Sequence, residues 1–449
     1  MTQTIQRKLS DSSSARWIAL LIVSVTMMFG YFFTDVMSPL EPLLTASKES
    51  GGLGWTSDEY GFFSGSYGFF NVFLLLLFFG GIILDKFGIR FTGIMSTLLM
   101  FAGALIKWYA VTNTFEGQMF GYSMQVIIAC LGFATYGVGC EICGITVSKV
   151  IVKWFTGHEL ALAMGAQVAL ARLGTAAALS MALPFAKAMG GVGASIALGA
   201  AMLCIGVIVF LVYTVMDKKE DAASAVVATE PEEGFKFSDL SLLFTNKGFW
   251  YITLLCLMFY AGVFPFLKFA TKLMVMKYGV AEDVAGFIPS VLPYGTIVLT
   301  PLFGYVYDKI GKGATLMLIG SVLLTLVHAV FAIPSVTSVG VAIVMMVVLG
   351  IAFGLVPSAM WPSVPKIIPM QLLGTAYAMI FYIQNIGLSL VPILIGKVNQ
   401  ANTDASGVID YTQTMSIFAV FGVVAIIIAL ALRMEDKKKG YGLEKANIK

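Results

Sequence analysis

The sequence predicts an all-α membrane protein of twelve transmembrane helices arranged as two six-helix halves. Three observations predict it. Hydrophobic residues make up 58% of the 449 and charged residues only 12%, with a mean hydropathy of +0.89. Long apolar segments recur along the whole chain, and one loop pattern appears twice. A soluble globular chain carries about 25% charged residues, so half that share leaves too little polar surface to coat a soluble particle. Soluble enzymes and nucleic-acid binders are thereby excluded. The net charge of +3 is also too small to imply a polyanionic partner.

A helix needs about 20 apolar residues to cross a bilayer. Twelve segments qualify: 17–44, 57–84, 91–112, 119–149, 158–187 and 192–216, then 248–277, 282–307, 313–333, 337–365, 372–399 and 411–433. Several exceed 25 residues and contain Gly or Pro, which predicts tilted or bent helices. The residues up to Arg16 are polar and hold no signal-peptide core, so the first apolar run is expected to be retained. One long polar stretch, 217–247, divides the chain into an N-terminal half (1–216) and a C-terminal half (248–449). Twenty Lys and Arg fall at the termini, the linker and the loops on that side, against six on the other side. This bias predicts that both termini and the linker are cytoplasmic. All five Cys lie in apolar stretches, so no extracellular disulfide framework is indicated.

The loop after the second span carries Gly81, Asp85, Lys86, Gly88 and Arg90. The loop after the eighth carries Gly304, Asp308, Lys309 and Gly311, at a constant offset of 223 residues. Glycine permits a tight reversal and close helix approach, the Asp can bond neighbouring helix ends, and the cations suit a cytoplasmic face. Two copies in register indicate duplication of a six-helix unit, with the paired loops as candidate gating elements.

This pattern resembles the G-x-x-x-D-[RK]-x-G signature of the major facilitator superfamily, and the resemblance covers the whole chain. It implies two parallel six-helix halves around a midplane substrate site. Longer strings are similar to the lysosomal dipeptide uniporters of that superfamily. They are Tyr31 to Asp35 (YFFTD), Trp154 to Leu162 (WFTGHELAL), Gln167 to Gly174 (QVALARLG) and Tyr260 to Phe266 (YAGVFPF). Trp361-Pro362, Gln371 to Tyr377 (QLLGTAY) and Ile383 to Leu388 (IQNIGL) complete the set. No acidic dileucine signal stands at the termini and no N-x-[ST] sequon occurs anywhere, so the expected setting is a bacterial inner membrane rather than a lysosome.

Five ionisable residues within the spans need an account: Asp35, Glu41, Glu141, Arg172 and Lys268. A charge at the bilayer centre costs at least about 2.5–3.5 kcal/mol, so each calls for a partner or a wet cavity. Glu41, beside Pro39 and Pro42, reads as interfacial. Lys268 either snorkels outward or meets substrate. Asp35 either carries a proton or bonds Tyr31 or a neighbouring helix. Glu141 lies 14 residues before Phe155 and Arg172 lies 17 after it. At about 1.5 Å per residue they sit at similar depths, roughly 21 and 25 Å from the turn. One reading is an ion pair pinning the fourth helix to the fifth. The other is a carboxylate for a substrate ammonium and a guanidinium fork for a substrate carboxylate, which fits a zwitterionic dipeptide. The resemblance implies the second role for both residues.

Tyr67, Asn71, Tyr260, Trp361, Tyr382, Gln384 and Asn385 are polar or amphipathic within spans. Each can line a cavity or bond a neighbouring helix. As a group they suit a peptide backbone, whose amides need donors and acceptors whatever the side chains. Cys140-x-x-Cys143 lacks a second ligand pair, and the two His form no constellation, so no metal, cofactor or catalytic machinery is expected. The expected function is gradient-driven transport of small peptides by alternating access. The expected partners are a small-molecule substrate and the lipid bilayer. The alternatives are an organic-anion carrier or a non-transporting receptor on the same scaffold. Three acids against two cations in the spans weigh against the first, and the two intact loops against the second.

Overall fold

In the computed structural model, which describes residues 9–155, 158–224, 240–369 and 372–446, the apolar segments form long helices. They are α1 (Ser13–Asp35), α2 (Ser57–Gly65), α3 (Leu76–Thr112), α4 (Met124–Phe155), α5 (Leu160–Ala188) and α6 (Val192–Ser224) in the first half. The second half holds α7 (Lys247–Tyr278), α8 (Phe287–Ile310), α9 (Gly313–Ala332), α10 (Val339–Ile367), α11 (Leu373–Ala401) and α12 (Thr412–Lys439). Eleven described helices are long and apolar enough to cross a bilayer. The exception belongs to the second expected span, which is segmented. It runs as α2, a 3-10 turn at Ser66–Gly68 and a short helix at Phe69–Phe73. A break at Leu75, with φ in the left-handed region at 54°, then leads into α3. A second break at Gly88 (φ 76°, ψ 174°) separates the remainder of that span from the third.

Other boundaries move for local reasons. The first span is expected to reach 44, but α1 ends at Asp35, because Pro39 has no N–H to give the Asp35 carbonyl and its ring crowds that carbonyl. A separate short helix, Glu41–Thr45, follows with Pro in its first turn. The polar linker is helical at its start, where α6 runs on to Ser224, and again at Leu240–Thr245. Its middle, 225–239, lies outside the described residues. Caps fix several starts: Thr56 and Glu59 form a reciprocal capping box ahead of α2, and Asn246 accepts from Phe249 N at α7.

Packing repeats under a shift of six helices. Helix α1 packs on α5 and α6 as α7 packs on α11 and α12, and α3 on α4 and α6 as α9 on α10 and α12. Gly88 and Gly311, equivalent in the repeated loop, share a positive φ of 76° and 74° that other residues rarely adopt. The halves meet chiefly where α2 packs on α11 and α5 on α8. That seam is tight because Gly61 faces Gly396: a Cβ on Gly61 would come within 2.5 Å of the Pro392 carbonyl. Exposed apolar side chains such as Leu98, Ile208, Val322 and Ile427 lie on α3, α6, α9 and α12, a surface suited to lipid and not to water.

The termini and the repeated loops share one end of the bundle. Ser10 Oγ donates to Glu220 on α6, Arg16 reaches Glu159 before α5 at 3.4 Å, and Lys312 N donates to Glu444 O in the C-terminal segment. The opposite end, where α1 finishes and α2 begins, is the far side.

Candidate functional site

A cavity of about 410 Å³ lies between the halves. Prolines line it on three helices, Pro265 of α7, Pro357 of α10 and Pro392 of α11. Each removes a backbone donor and lets its helix bend at the wall. Nine of the residues singled out from sequence line it: Asp35, Tyr67, Glu141, Arg172, Tyr260, Lys268, Trp361, Gln384 and Asn385. Asn71 and Tyr382 do not. Asn71 is fully buried with its amide unpartnered. Tyr382 donates to Val72 O at 3.2 Å and packs on Phe78, spanning the halves on the termini side.

Two opposite charges enter this space from the N-terminal half. Glu141 on α4 accepts from the Tyr67 hydroxyl at 2.8 Å. Arg172 on α5 lies with its guanidinium 5.1 Å from the Phe353 ring centre, 5.4 Å from Phe264 and 5.9 Å from Tyr31. Among the described residues no ion pair joins Glu141 to Arg172, so the helix clamp considered from sequence is not made. Rings hold the cation instead, a contact worth about 0.5–2 kcal/mol each that leaves its N–H fork free.

The C-terminal half supplies an aromatic wall. Trp361 Nε1 donates to the Tyr260 hydroxyl at 3.1 Å, Trp361 stacks on Phe381 at 5.0 Å, and the Tyr377 hydroxyl donates to Trp361 O. Gln384 accepts from Cys256 Sγ. Asn385 donates to Phe381 O and its Oδ1 is buried without a partner. Sequence reading missed Phe264, Phe353 and Phe381. A helical-face count would have found all three, since Tyr260, Phe264 and Lys268, then Phe353, Pro357 and Trp361, and also Phe381 and Asn385, recur every fourth residue.

On the far side the cavity ends at a cross-half ion pair. Lys268 Nζ lies 2.6 Å from Asp35 Oδ1 and also donates to Thr34 O at 3.0 Å, while the Tyr60 hydroxyl donates to Lys268 O. Lys268 therefore neither snorkels outward nor stands free, and Asp35 bonds a neighbouring helix, α7, through this cation and not Tyr31. Six residues beyond Asp35, Glu41 faces Lys272 at 3.8 Å. Glu41 is 0% exposed, so near the end of the span it is packed inside the protein and not solvated, because the turn after α1 folds it under α7. Lys187 and Glu282 add an exposed pair between α5 and the short helix Glu282–Ala285 ahead of α8. Lys107, one of the six Lys and Arg assigned from sequence to the far side, is also fully buried. Its Nζ lies 3.8 Å from the Phe33 ring centre and 4.5 Å from that of Phe133. Toward the termini side, Val168 lines the cavity one turn before Arg172 and is 44% exposed. The cavity is thus less enclosed toward the termini than at the far-side ion pair.

The repeated loops lie away from the cavity. Asp85 pairs with Lys149 on α4 at 2.6 Å. Arg90 and Lys153 both bind Asp217 and Asp221 at the end of α6, so the loop cations do not simply face solvent. Gly81 and Gly304 have open space around them, Lys86 lies over Phe87 and Lys309 over Tyr305. Gly311 is covered by residues 444–446 of the C-terminal segment. Among the described residues no three His, Cys, Asp or Glu gather as metal ligands.

The family described as Major Facilitator Superfamily matches residues 15–392. The chain is 27% identical over 336 residues to the lysosomal dipeptide transporter MFSD1 of Homo sapiens, covering 72% of this chain and 69% of that one. The Bos taurus protein of the same name is 26% identical over 335 residues, with 72% and 68% covered. Among solved structures, the nucleoside transporter NupG superposes with a TM-score of 0.69 at 16% identity, covering 93% of this chain and 98% of that one. A point mutant of the peptide transporter POT, in complex with sulfate, gives a TM-score of 0.70 at 15% identity, with 95% of each covered.

Proposed function

The chain belongs to the major facilitator superfamily, and on that premise we propose that this multi-pass membrane transporter carries dipeptides by alternating access. The observation that carries the reading is the cavity's pair of unjoined opposite charges. A dipeptide in water is a zwitterion whose two charged ends lie within about 7 Å. Glu141, held by one hydroxyl, is placed for the ammonium, and Arg172, held only by rings, offers its fork to the carboxylate. Tyr260, Trp361, Gln384 and Asn385 supply groups for the peptide backbone. The printed name of the MFSD1 relatives supports the same class.

The Lys and Arg excess on the termini side supports cytoplasmic termini, and a chain without an N-x-[ST] sequon fits a bacterial inner membrane. In that orientation the less enclosed end of the cavity faces the cytoplasm. The loops around Asp85 and Asp308 would then gate the cytoplasmic ends, and the chain divides at the 217–247 linker into two rocking halves. The test is a thermal-shift screen of purified protein against dipeptides, single amino acids, sugars and organic anions. A ligand that binds only the native state raises stability by mass action. Stabilisation by dipeptides alone supports the reading, and stabilisation by organic anions with none by dipeptides overturns it.

A further inference from the structure

The far-side seam contains a carboxylate with nothing to bond. Glu41 opens the short helix that follows the α1 turn, beyond the end of that span, and is fully buried. Neither of its carboxylate oxygens has a hydrogen-bond partner. Lys272 of α7 is the nearby counter-charge, and its 3.8 Å separation is longer than a hydrogen bond. The other titratable groups facing Glu41 are the phenols of Tyr60 on α2 and Tyr411 before α12. Lys268, one turn along α7, is committed to Asp35.

A buried carboxylate without hydrogen bonds is disfavoured in its charged form. Burial pushes the Glu41 carboxyl above the usual carboxylate range, and the Lys272 ammonium offsets only part of that. The two residues belong to different halves, so parting the seam separates them and hydrates both. In water the carboxyl returns to an ordinary value of about 4.3.

We propose that Glu41 is a proton-binding site, and that closing the far-side seam takes up one proton from the far-side solution. The proton comes from water and forms an O–H bond on the carboxylate, and reopening releases it to the same side. Proton affinity is higher in the closed state, so closure is favoured at low pH and weakens as pH rises. The inference rests on the halves parting on the far side and not on the substrate, so its failure leaves dipeptide binding untouched.

The test uses the full chain in lipid nanodiscs with Cys204, the one half-exposed cysteine, replaced by Ser. Spin labels at Glu49 and Ala405, exposed on either side of the seam, report its width from about pH 5 to pH 9, a range above the ordinary carboxyl value. The short-distance population should grow with acid in the parent and stay high at every pH in Glu41→Gln. Lys272→Gln, which removes the opposing cation, should move the midpoint up by about 1–3 pH units. A pH-independent parent, or a Glu41→Gln variant with the parent's response, overturns the proposal. If Glu41→Gln does not fold, the Lys272→Gln midpoint decides, and absence of an upward shift overturns it.

Discussion

Glu141→Gln separates a binding role from a structural one. Gln keeps the shape of the side chain and a carbonyl that can accept the Tyr67 hydroxyl, now bonded at 2.8 Å, and loses only the charge. No ion pair to Arg172 is given up among the described residues, so stability should change by less than about 1 kcal/mol. A hydrogen bond to a charged group contributes about 1.5–3 kcal/mol against about 0.5–1.5 for a neutral one. A substrate ammonium should therefore lose about 1–2 kcal/mol, which at 1.4 kcal/mol per tenfold is roughly 5- to 30-fold in affinity. An N-acetylated dipeptide brings no cation and should bind the variant about as well as the parent. The assay is competition binding to purified protein, reported as the ratio of free to acetylated dipeptide affinity before and after substitution. A ratio that does not change, with binding otherwise intact, refutes the placement of the ammonium at Glu141.

Arg172→Ala should weaken dipeptide binding by about 10- to 150-fold, the loss of one charge-assisted contact, measured by equilibrium binding. Its melting temperature should also fall, since the contacts to Phe353, Phe264 and Tyr31 go with the guanidinium, and a fall in stability with unchanged binding would assign Arg172 to packing alone. Asp35→Asn leaves Lys268 with only Thr34 O among its present bonds and should shift the seam toward opening. Labelling of a cysteine placed at Ser389, buried in that seam, should accelerate several-fold, and an unchanged rate would count against the pair as a latch. Asp85→Asn breaks a pair whose side chains are both exposed, so stability should barely change. Uptake into proteoliposomes should slow while dipeptide affinity holds, and a matching loss of affinity would place the loop in the site itself.

Composition and spacing alone give the membrane setting, the helical class and the repeat. Twelve apolar segments can satisfy their backbone in lipid only as helices, and the offset of 223 residues announced the symmetry that the packing of α1 to α6 and α7 to α12 displays. Spacing also brought Glu141 and Arg172 to one depth, because helical rise converts residue count into distance. Only the tertiary structure decided partners. Rise fixes height but not rotation or lateral spacing, so sequence could not tell an ion pair from two charges facing one cavity. The pairs Asp35–Lys268 and Glu41–Lys272 join residues more than 230 positions apart in opposite halves, and only the docking of the halves brings them together. The break at Leu75 sits in an unbroken apolar run where no Gly or Pro marks it. The burial of Lys107 depends on rings from α1 and α4, which only the folded bundle assembles around it.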